Sequence, residues 1–220
     1  MANNDYQESK FWKIINLAGN AIGLNLLFLV SCIPVVTLGP AMSGLYSGVR
    51  YMIRREGWFA GFKAGFRKNF LRTAIAGVVS TAMLVYLLLY FNSAHSFYLN
   101  GGSIAPMITY VVPMLFPTMI AAALWPLNVY IPYTTTDWLR NAVNLICKAP
   151  LQVLASAVLT WLPVFLLLYM FELFYLSVLV LLAVYFSLSA FVSTLLLKDA
   201  LLDQFLTYQK QHPDEEENYE

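Results

Sequence analysis

The chain has 220 residues, of which 60% are hydrophobic and only 11% are charged. Ordinary soluble domains carry about 25% charged residues, so this composition leaves too little polar surface to cover a soluble core. The formal net charge is +1, but the charges are grouped along the chain, and membrane proteins use such grouping to set their orientation. We therefore predict an integral membrane protein that contacts the lipid bilayer and does not bind nucleic acid.

The N-terminal segment differs from a secretory signal peptide. Residues 1–13 are polar and carry charges of both signs, whereas a signal peptide begins with a basic region. The apolar run that follows, residues 14–38, is longer than the apolar part of a signal peptide. We expect this run to remain in the protein as a membrane span.

Five apolar runs are long enough to cross a membrane, because a hydrocarbon core of about 30 Å requires about 20 helical residues. The runs are residues 14–33, 73–91, 104–133, 151–171 and 173–197. They predict an all-α fold, a polytopic transmembrane helical bundle of about five spans, in a single domain over residues 1–200. Residues 201–220 are predicted to be an acidic cytoplasmic tail, largely disordered at its end.

The third apolar run is rich in proline. Its prolines are Pro106, Pro113, Pro117, Pro126 and Pro132. Each proline removes a backbone donor and clashes with the preceding turn, so we expect this span to bend or break. It is then either a kinked helix packed inside the bundle or a discontinuous helix that lines a binding cavity.

The first two apolar runs are joined by a strongly basic segment. Its basic residues are Arg50, Arg54, Arg55, Lys63, Arg67, Lys68 and Arg72, against the single acid Glu56. Lys and Arg in short loops stay on the cytoplasmic side of a membrane. With five spans, this segment and the C-terminus are predicted on the cytoplasmic side of the cell membrane, and the N-terminus is predicted on the outer side. A re-entrant hairpin at residues 32–40 is the alternative, although its apolar run is short for a second crossing.

Two amphipathic helices are predicted within the basic segment. The first restarts at Pro40, because proline fits the first turn of a helix. The second carries phenylalanines on one face with cations around it, a pattern typical of a helix at the headgroup boundary. Both helices are therefore predicted to be interfacial. The candidate residues for membrane anchoring or partner docking are Arg50, Arg54, Arg55, Phe59, Phe62, Lys63, Phe66, Arg67, Lys68 and Phe70.

Motifs in the first third of the chain carry a family resemblance. They are Asn25-Leu26-Leu27, the run IPVVTLGPA at residues 33–41, Leu45-Tyr46, Arg50, Phe59, Phe62, Phe66, Asn69 and Phe70. In these residues the chain resembles the YesL-like proteins, a bacterial membrane family of unknown function. The resemblance implies a polytopic protein encoded near carbohydrate ABC-transporter and polysaccharide-utilisation genes in Gram-positive bacteria. It implies no catalytic or ligand-binding residue.

Titratable groups that could perform catalysis are sparse. The two histidines, His95 and His212, lie in a short loop and in the acidic tail, and the P-loop motif GxxxxGK[ST] does not occur. We therefore expect no enzymatic activity, no metal site and no cofactor. The two cysteines, Cys32 and Cys147, have no metal-ligand spacing and are predicted to be buried thiols.

Two asparagines, Asn25 and Asn128, are the candidate polar residues at membrane depth. Such residues either hydrogen-bond across helices as structural contacts or bind a substrate. Glu172 and Asp137 lie near predicted span ends and are expected to be solvated. An aromatic belt is predicted at the inner end of the third span, comprising Trp125, Tyr130, Tyr133 and Trp138.

The leading functional hypothesis is a non-catalytic accessory or permease-like component of carbohydrate uptake, in particular of oligosaccharides. ABC-transporter permease subunits are then the expected partners. This hypothesis follows from the family resemblance and not from residue chemistry. The alternative is a self-contained small-molecule transporter or channel, which only the proline-rich third run favours. A membrane enzyme ranks third, because paired acids, a metal set and an activated nucleophile are missing.

Overall fold

The computed structural model describes residues 10–131, 135–170 and 175–211. Within these ranges the chain is helical and contains no strand, which confirms the predicted all-α fold. The α-helices are α1 Lys10–Ser31, α2 Leu38–Ile53, α3 Trp58–Arg67, α4 Phe70–Leu99, α5 Ala105–Tyr130, α6 Thr135–Lys148, α7 Pro150–Met170 and α8 Tyr175–Gln211. The predictions on Pro132, Tyr133, Glu172, His212 and the end of the acidic tail fall outside the described residues.

Two of the described helices are long and apolar enough to cross a membrane, namely Phe70–Leu99 and Ala183–Gln211. A third span is possible if the pair Asp137–Lys148 and Pro150–Leu162, bent by 112°, counts as one broken span. The other apolar helices of the described ranges, Ile15–Ser31 and Leu115–Tyr130, are shorter. The structure therefore supports a membrane protein with two or three candidate spans, and the predicted count of five is not supported.

The break between α1 and α2 follows from local sequence. Pro34 lacks an amide donor, and it disfavours helical geometry in the residue before it, so α1 ends at Ser31. The Thr37 hydroxyl then donates to the carbonyl oxygens of Ser31 and Pro34, each at 2.6 Å. Pro40 falls in the first turn of α2, where its missing donor costs nothing. The chain reverses here, and a helix restarts close to the predicted position.

Helix α1 runs antiparallel to both α2 and α8. As residue numbers rise along α1, the residue numbers of its neighbours on α8 fall. Asn20 lines the same cavity as Phe191. The Asn25 side chain bonds to Ser187, and Phe28 contacts Phe186. The neighbours on α2 descend in the same way, because Asn20 lies near Met52 and Leu24 packs on Gly48. The start of α1 therefore lies beside Arg55 and Glu56, at the end of α2.

This direction differs from the predicted topology. A chain with five spans requires its first and last spans to be parallel, with the termini on opposite sides. The observed antiparallel pairing places the start of α1 at the same end of the bundle as the second half of α8. The physical reason is the reversal at residues 32–37, which sends α2 back along α1.

Helix α2 is an internal helix of the bundle, although an interfacial location was predicted for it. Leu45, Tyr46 and Val49 are buried, and α2 contacts α1, α3, α4, α5 and α8. Its small residues allow this crowding. A β-carbon on Gly39 would lie 1.7 Å from the Thr73 carbonyl oxygen of α4, so α2 and α4 cross there at backbone contact.

Two further findings concern α5 and α8. Helix α5 is continuous from Ala105 to Tyr130, so of the two alternatives for the proline-rich run the discontinuous helix is not found in the described residues. Helix α8 extends to Gln211, into the segment predicted as a tail. Leu201 and Tyr208 of this extension are buried.

Candidate functional site: a cationic cluster at one end of the bundle

The predicted docking residues separate into two groups in the structure. Phe62 is buried and packs on Gly44 of α2, and Phe66 is half-buried, with its ring centroid 5.9 Å from that of Phe62 and 5.7 Å from that of Phe70. The phenylalanine face thus points largely toward α2. The exposed members are Arg54, Arg55, Phe59, Lys63, Arg67, Lys68 and Phe70. Docking at this exposed surface stays a prediction.

Arg50 is the docking candidate that the bundle holds most firmly. Its Nη1 donates to the carbonyl oxygen of Val129 at 2.8 Å, and its guanidinium carbon lies 5.0 Å from the centre of the Tyr130 ring. The side chain is half-buried, and burial, followed by the charge of Arg54, lowers its pKa. Helix α2 therefore presents a fixed cation to the end of α5.

Arg72 of α4 approaches the same end of α5. Its Nη2 donates to Oδ1 of Asn128 at 2.6 Å, and its guanidinium carbon lies 4.8 Å from the centre of the Trp138 ring. Trp138 itself donates from Nε1 to the Leu124 carbonyl oxygen at 2.9 Å. The two arginines are therefore bound to the consecutive α5 residues Asn128 and Val129.

Lys68 completes the group, which we name the cationic cluster: Arg50, Lys68 and Arg72. Lys68 lies in the turn between α3 and α4, where Asn69 has the left-handed φ of 53°. Its side chain is exposed at the surface. Desolvation by the protein around it and, after that, the charges of Arg50 and Arg72 lower its pKa. Arg50 and Arg72 are thus bound to the end of α5, and Lys68 lies near enough for their charges to affect its pKa.

Asn25 and Asn128, the predicted intramembrane polar residues, are both completely buried and both bridge helices. Asn128 Nδ2 donates to Ser43 Oγ at 2.8 Å, so this side chain links α2, α4 and α5. Asn25 Oδ1 accepts a hydrogen bond of 3.0 Å from the amide of Ser187 on α8. Of the two roles considered from the sequence, hydrogen bonding across helices and substrate binding, these bonds agree with the first.

The other predicted chemistry-bearing residues lie apart from the cluster. His95 stacks on Phe91 at the opposite end of α4, with ring centroids 6.2 Å apart. Cys32 is half-buried, but Cys147 is exposed on α6, so its predicted burial is wrong. No group of three His, Cys, Asp or Glu side chains suited to a metal ion occurs among the described residues.

Two cavities open at the same end of the bundle as the cluster. One, of about 480 Å³, lies where the start of α1 meets the end of α2 and the middle of α8. The other, of about 260 Å³, separates α6 from the end of α8 and is polar. Its wall includes Gln204, which is 3% exposed, donates from Nε2 to the Asn141 carbonyl oxygen and leaves Oε1 unpartnered. The exposed ion pair Lys148–Asp203 joins the same two helices.

The cluster lies on the part of the chain that has relatives. Residues 21–93, which contain Arg50, Lys68 and Arg72, match one family model. This segment is similar to the family described as "Protein of unknown function, DUF624". No curated protein and no solved structure matches the chain. The DUF624 match contains every residue that carries the YesL-like resemblance, but it does not give that name, which stays a prediction.

Sequence reasoning missed three members of the site. Arg72 was counted for orientation but not nominated, although a cation at the edge of an apolar run is a functional candidate in membrane proteins. Trp138 was interpreted as part of an aromatic belt, and Ser43 was not considered. The Val129 carbonyl that binds Arg50 carries no side-chain signal, so no sequence pattern could have predicted it.

Proposed function

We propose that this protein is a multi-pass, non-catalytic membrane component that acts as an accessory or permease-like partner in carbohydrate uptake. The link to carbohydrate, and ABC-transporter permease subunits as partners, rest on the resemblance to YesL-like proteins alone. The similarity to a family of unknown function and the apolar helices are compatible with this role. The geometry adds one argument, which concerns whether the chain can transport a solute by itself.

The hydrogen bonds of the two buried asparagines support a protein that works only with a partner. A self-contained transporter holds its solute near the middle of the bilayer, with polar groups that can exchange partners. Asn25 and Asn128 are fully buried and engaged with Ser187, Ser43 and Arg72. Both cavities described above open at the basic end instead. These two amides are thus committed to the packing of the bundle, which favours a partner-dependent role.

Copurification and reconstitution together test this role. The full chain, solubilised in a mild detergent, is expected to copurify with a permease subunit, and deletion of its gene is expected to impair growth on an oligosaccharide while sparing growth on glucose. In liposomes, the purified protein alone is expected to move no solute. Flux through the protein alone, sensitive to Asn128→Ala, would overturn the proposal in favour of a self-contained transporter.

We further propose that α4, α5, α7 and α8 cross the membrane and that α1 and α2 form a re-entrant hairpin. Helices α5 and α7 have 26 and 21 residues, or roughly 39 and 32 Å of length, enough for a core of about 30 Å. An even number of crossings agrees with the antiparallel pairing of α1 and α8. Both termini then lie with the basic segment on the cytoplasmic side of the cell membrane.

Cysteine labelling in intact cells tests this topology, on a background without Cys32 and Cys147. Ser96→Cys is expected to react with an impermeant thiol reagent, whereas Ala64→Cys and Asn4→Cys are expected to be protected until the membrane is opened. The Asn4→Cys variant decides between the two topologies. Its labelling from outside would restore the five-span path with an outside N-terminus.

A further inference from the structure

We propose that the cavity between the start of α1, the end of α2 and the middle of α8 binds an aminophospholipid, a lipid whose headgroup carries a phosphate and a primary ammonium. This site is independent of the uptake role proposed above. The cavity has a volume of about 480 Å³, within the range of about 300–1,000 Å³ that is usual for small-molecule sites. Its wall has an apolar part and a polar part, and each suits one portion of such a lipid.

The apolar part of the wall consists of side chains from three helices. Leu17, Ile53 and Leu195 are exposed by 45%, 43% and 51%, and Met52 and Phe191 are half-buried. Covering apolar surface of this kind is favourable in proportion to the area that is removed from water. An acyl chain that enters the cavity would cover side chains of α1, α2 and α8 at once.

The polar part of the wall consists of Asn16, Asn20, Arg55 and Glu56. The two asparagines lie four residues apart on α1 and therefore share a face. None of these four side chains forms a hydrogen bond or an ion pair with another residue that the structure describes. A cation and an anion thus stand side by side in the cavity wall without neutralising each other. A zwitterionic headgroup carries the complementary charges, its phosphate for the guanidinium and its ammonium for the carboxylate.

The backbone of Arg55 gives an independent argument. Its φ is 61°, a left-handed conformation that favours glycine. The Arg55 amide donates to the Met52 carbonyl oxygen at 3.1 Å, and the Glu56 amide donates to the Tyr51 carbonyl oxygen at 2.8 Å. These two bonds define a helix ending in which glycine usually holds the position of Arg55. An arginine is therefore kept there at a cost to folding, and strained residues of this kind cluster at ligand sites.

The polar groups distinguish among phospholipids. The primary ammonium of phosphatidylethanolamine can donate hydrogen bonds to the Glu56 carboxylate, whereas the quaternary ammonium of phosphatidylcholine has no N–H group to donate. Phosphatidylglycerol would bring a negative charge toward Glu56 with no cation to offset it. The amides of Asn16 and Asn20 can both donate and accept, so they suit either portion of the headgroup. The site is thus expected to prefer phosphatidylethanolamine.

Lipid binding to the full chain in uncharged detergent tests the site without any mutation. Native mass spectrometry with phosphatidylethanolamine and phosphatidylcholine of identical acyl chains is expected to show about tenfold tighter binding of the first, the effect of one hydrogen bond between charged groups. Phosphatidylglycerol is expected to bind no more tightly than phosphatidylcholine. Soluble phosphoethanolamine, which has the headgroup without acyl chains, is expected to bind at least about tenfold less tightly than the lipid, because it leaves the apolar wall uncovered.

Matched variants assign the two charges. Glu56→Gln is expected to reduce the preference for phosphatidylethanolamine over phosphatidylcholine to less than about threefold, with little change in phosphatidylcholine binding. Arg55→Gln is expected to weaken the binding of both lipids about tenfold, because both carry a phosphate. Arg67→Gln removes an exposed arginine of α3 that does not line the cavity. It is the control, and it is expected to change the binding of either lipid by less than about threefold.

Arg55→Gly separates a ligand-binding role from a structural one. Glycine adopts the left-handed φ without strain, so the melting temperature of the lipid-free protein is expected to rise by about 2–4 °C. Lipid binding is expected to weaken as it does in Arg55→Gln. A variant that is more stable and still binds phosphatidylethanolamine as tightly as the original chain would show that the arginine has no ligand in this cavity.

Three further results would overturn the proposal. They are equal binding of phosphatidylethanolamine and phosphatidylcholine by the unmodified chain, a preference that persists in Glu56→Gln, and binding of phosphoethanolamine as tight as that of the lipid. If the Arg55 variants do not fold, the comparison of lipids on the unmodified chain and on Glu56→Gln still decides. These measurements use the purified protein alone, so their outcome is separate from that of the uptake experiments.

Discussion

Replacing Gly39 with alanine is expected to destabilise the folded protein by about 3 kcal/mol or more. The added β-carbon would lie 1.7 Å from the Thr73 carbonyl oxygen and 3.0 Å from the Gly77 amide nitrogen. Both atoms belong to the backbone of α4, so no side-chain rotation can relieve the clash. Overpacking a well-packed interior costs about 1–3 kcal/mol even where side chains can move. Thermal unfolding in detergent, followed by tryptophan fluorescence, measures the change.

Gly19→Ala is the matched control for this substitution. It also lies within a helix, but nothing comes within 4 Å of its added β-carbon. Because alanine favours helix over glycine by roughly 0.5–1 kcal/mol, this variant is expected to be as stable as the original or slightly more stable. Similar melting temperatures for Gly39→Ala and Gly19→Ala would contradict the backbone contact between α2 and α4.

Replacing Asn128 with leucine is expected to destabilise the protein by about 2–3 kcal/mol and to detach α4 from the end of α5. The amide is the shared partner of Ser43 and Arg72, and a hydrogen bond to a charged group contributes about 1.5–3 kcal/mol. Leucine has the same branched arrangement of side-chain heavy atoms, so the main effect is one of polarity. Thermal unfolding provides the stability, and faster proteolysis near residue 72 reports the detachment.

Two comparison variants sharpen the Asn128 experiment. Asn144→Ala removes an exposed amide whose described bond to Asn141 is 3.5 Å long, and its stability is expected to change by less than about 0.5 kcal/mol. Asn128→Asp keeps an acceptor for Arg72 but loses the donor to Ser43, and it is expected to lose less stability than Asn128→Leu. A destabilisation by Asn144→Ala equal to that by Asn128→Leu would show that the network around Arg72 has no special role.

The apolar runs predicted the helices well because lipid demands length, and length is visible in one sequence. The run at residues 73–91 lies within α4, and the polar residues inside such runs, Asn25 and Asn128, bridge helices, since a buried amide requires a partner. The direction of α1 was harder to predict. Charge counts describe the basic segment, but the reversal at residues 32–37 depends on whether α2 finds a packed groove, which is a property of the assembled bundle.

The amphipathic pattern of α3 shows a related limit. The spacing predicted a phenylalanine face, and Phe62 and Phe66 do share one side. The spacing could not predict what covers that face, because a phenylalanine ring packs equally well against lipid and against a glycine of another helix. Here Gly44 and Gly65 bring α2 and α3 together. Likewise, the aromatic rings that fix the arginines lie far from them in sequence, beyond any local period.

Helix α8 joins the two ends of the molecule through a single rigid rod. Its 37 residues measure roughly 55 Å, whereas the hydrocarbon core takes about 30 Å, so in the proposed four-span arrangement its last turns project past the membrane surface. Because both faces belong to the one helix α8, the face that meets α6 keeps a fixed angle to the face that meets Asn25. One inserted residue between Ser187 and Asp203 would turn these faces about 100° apart. A rotation of α8 about its axis at Asn25 is thus expected to turn the face that meets α6 as well.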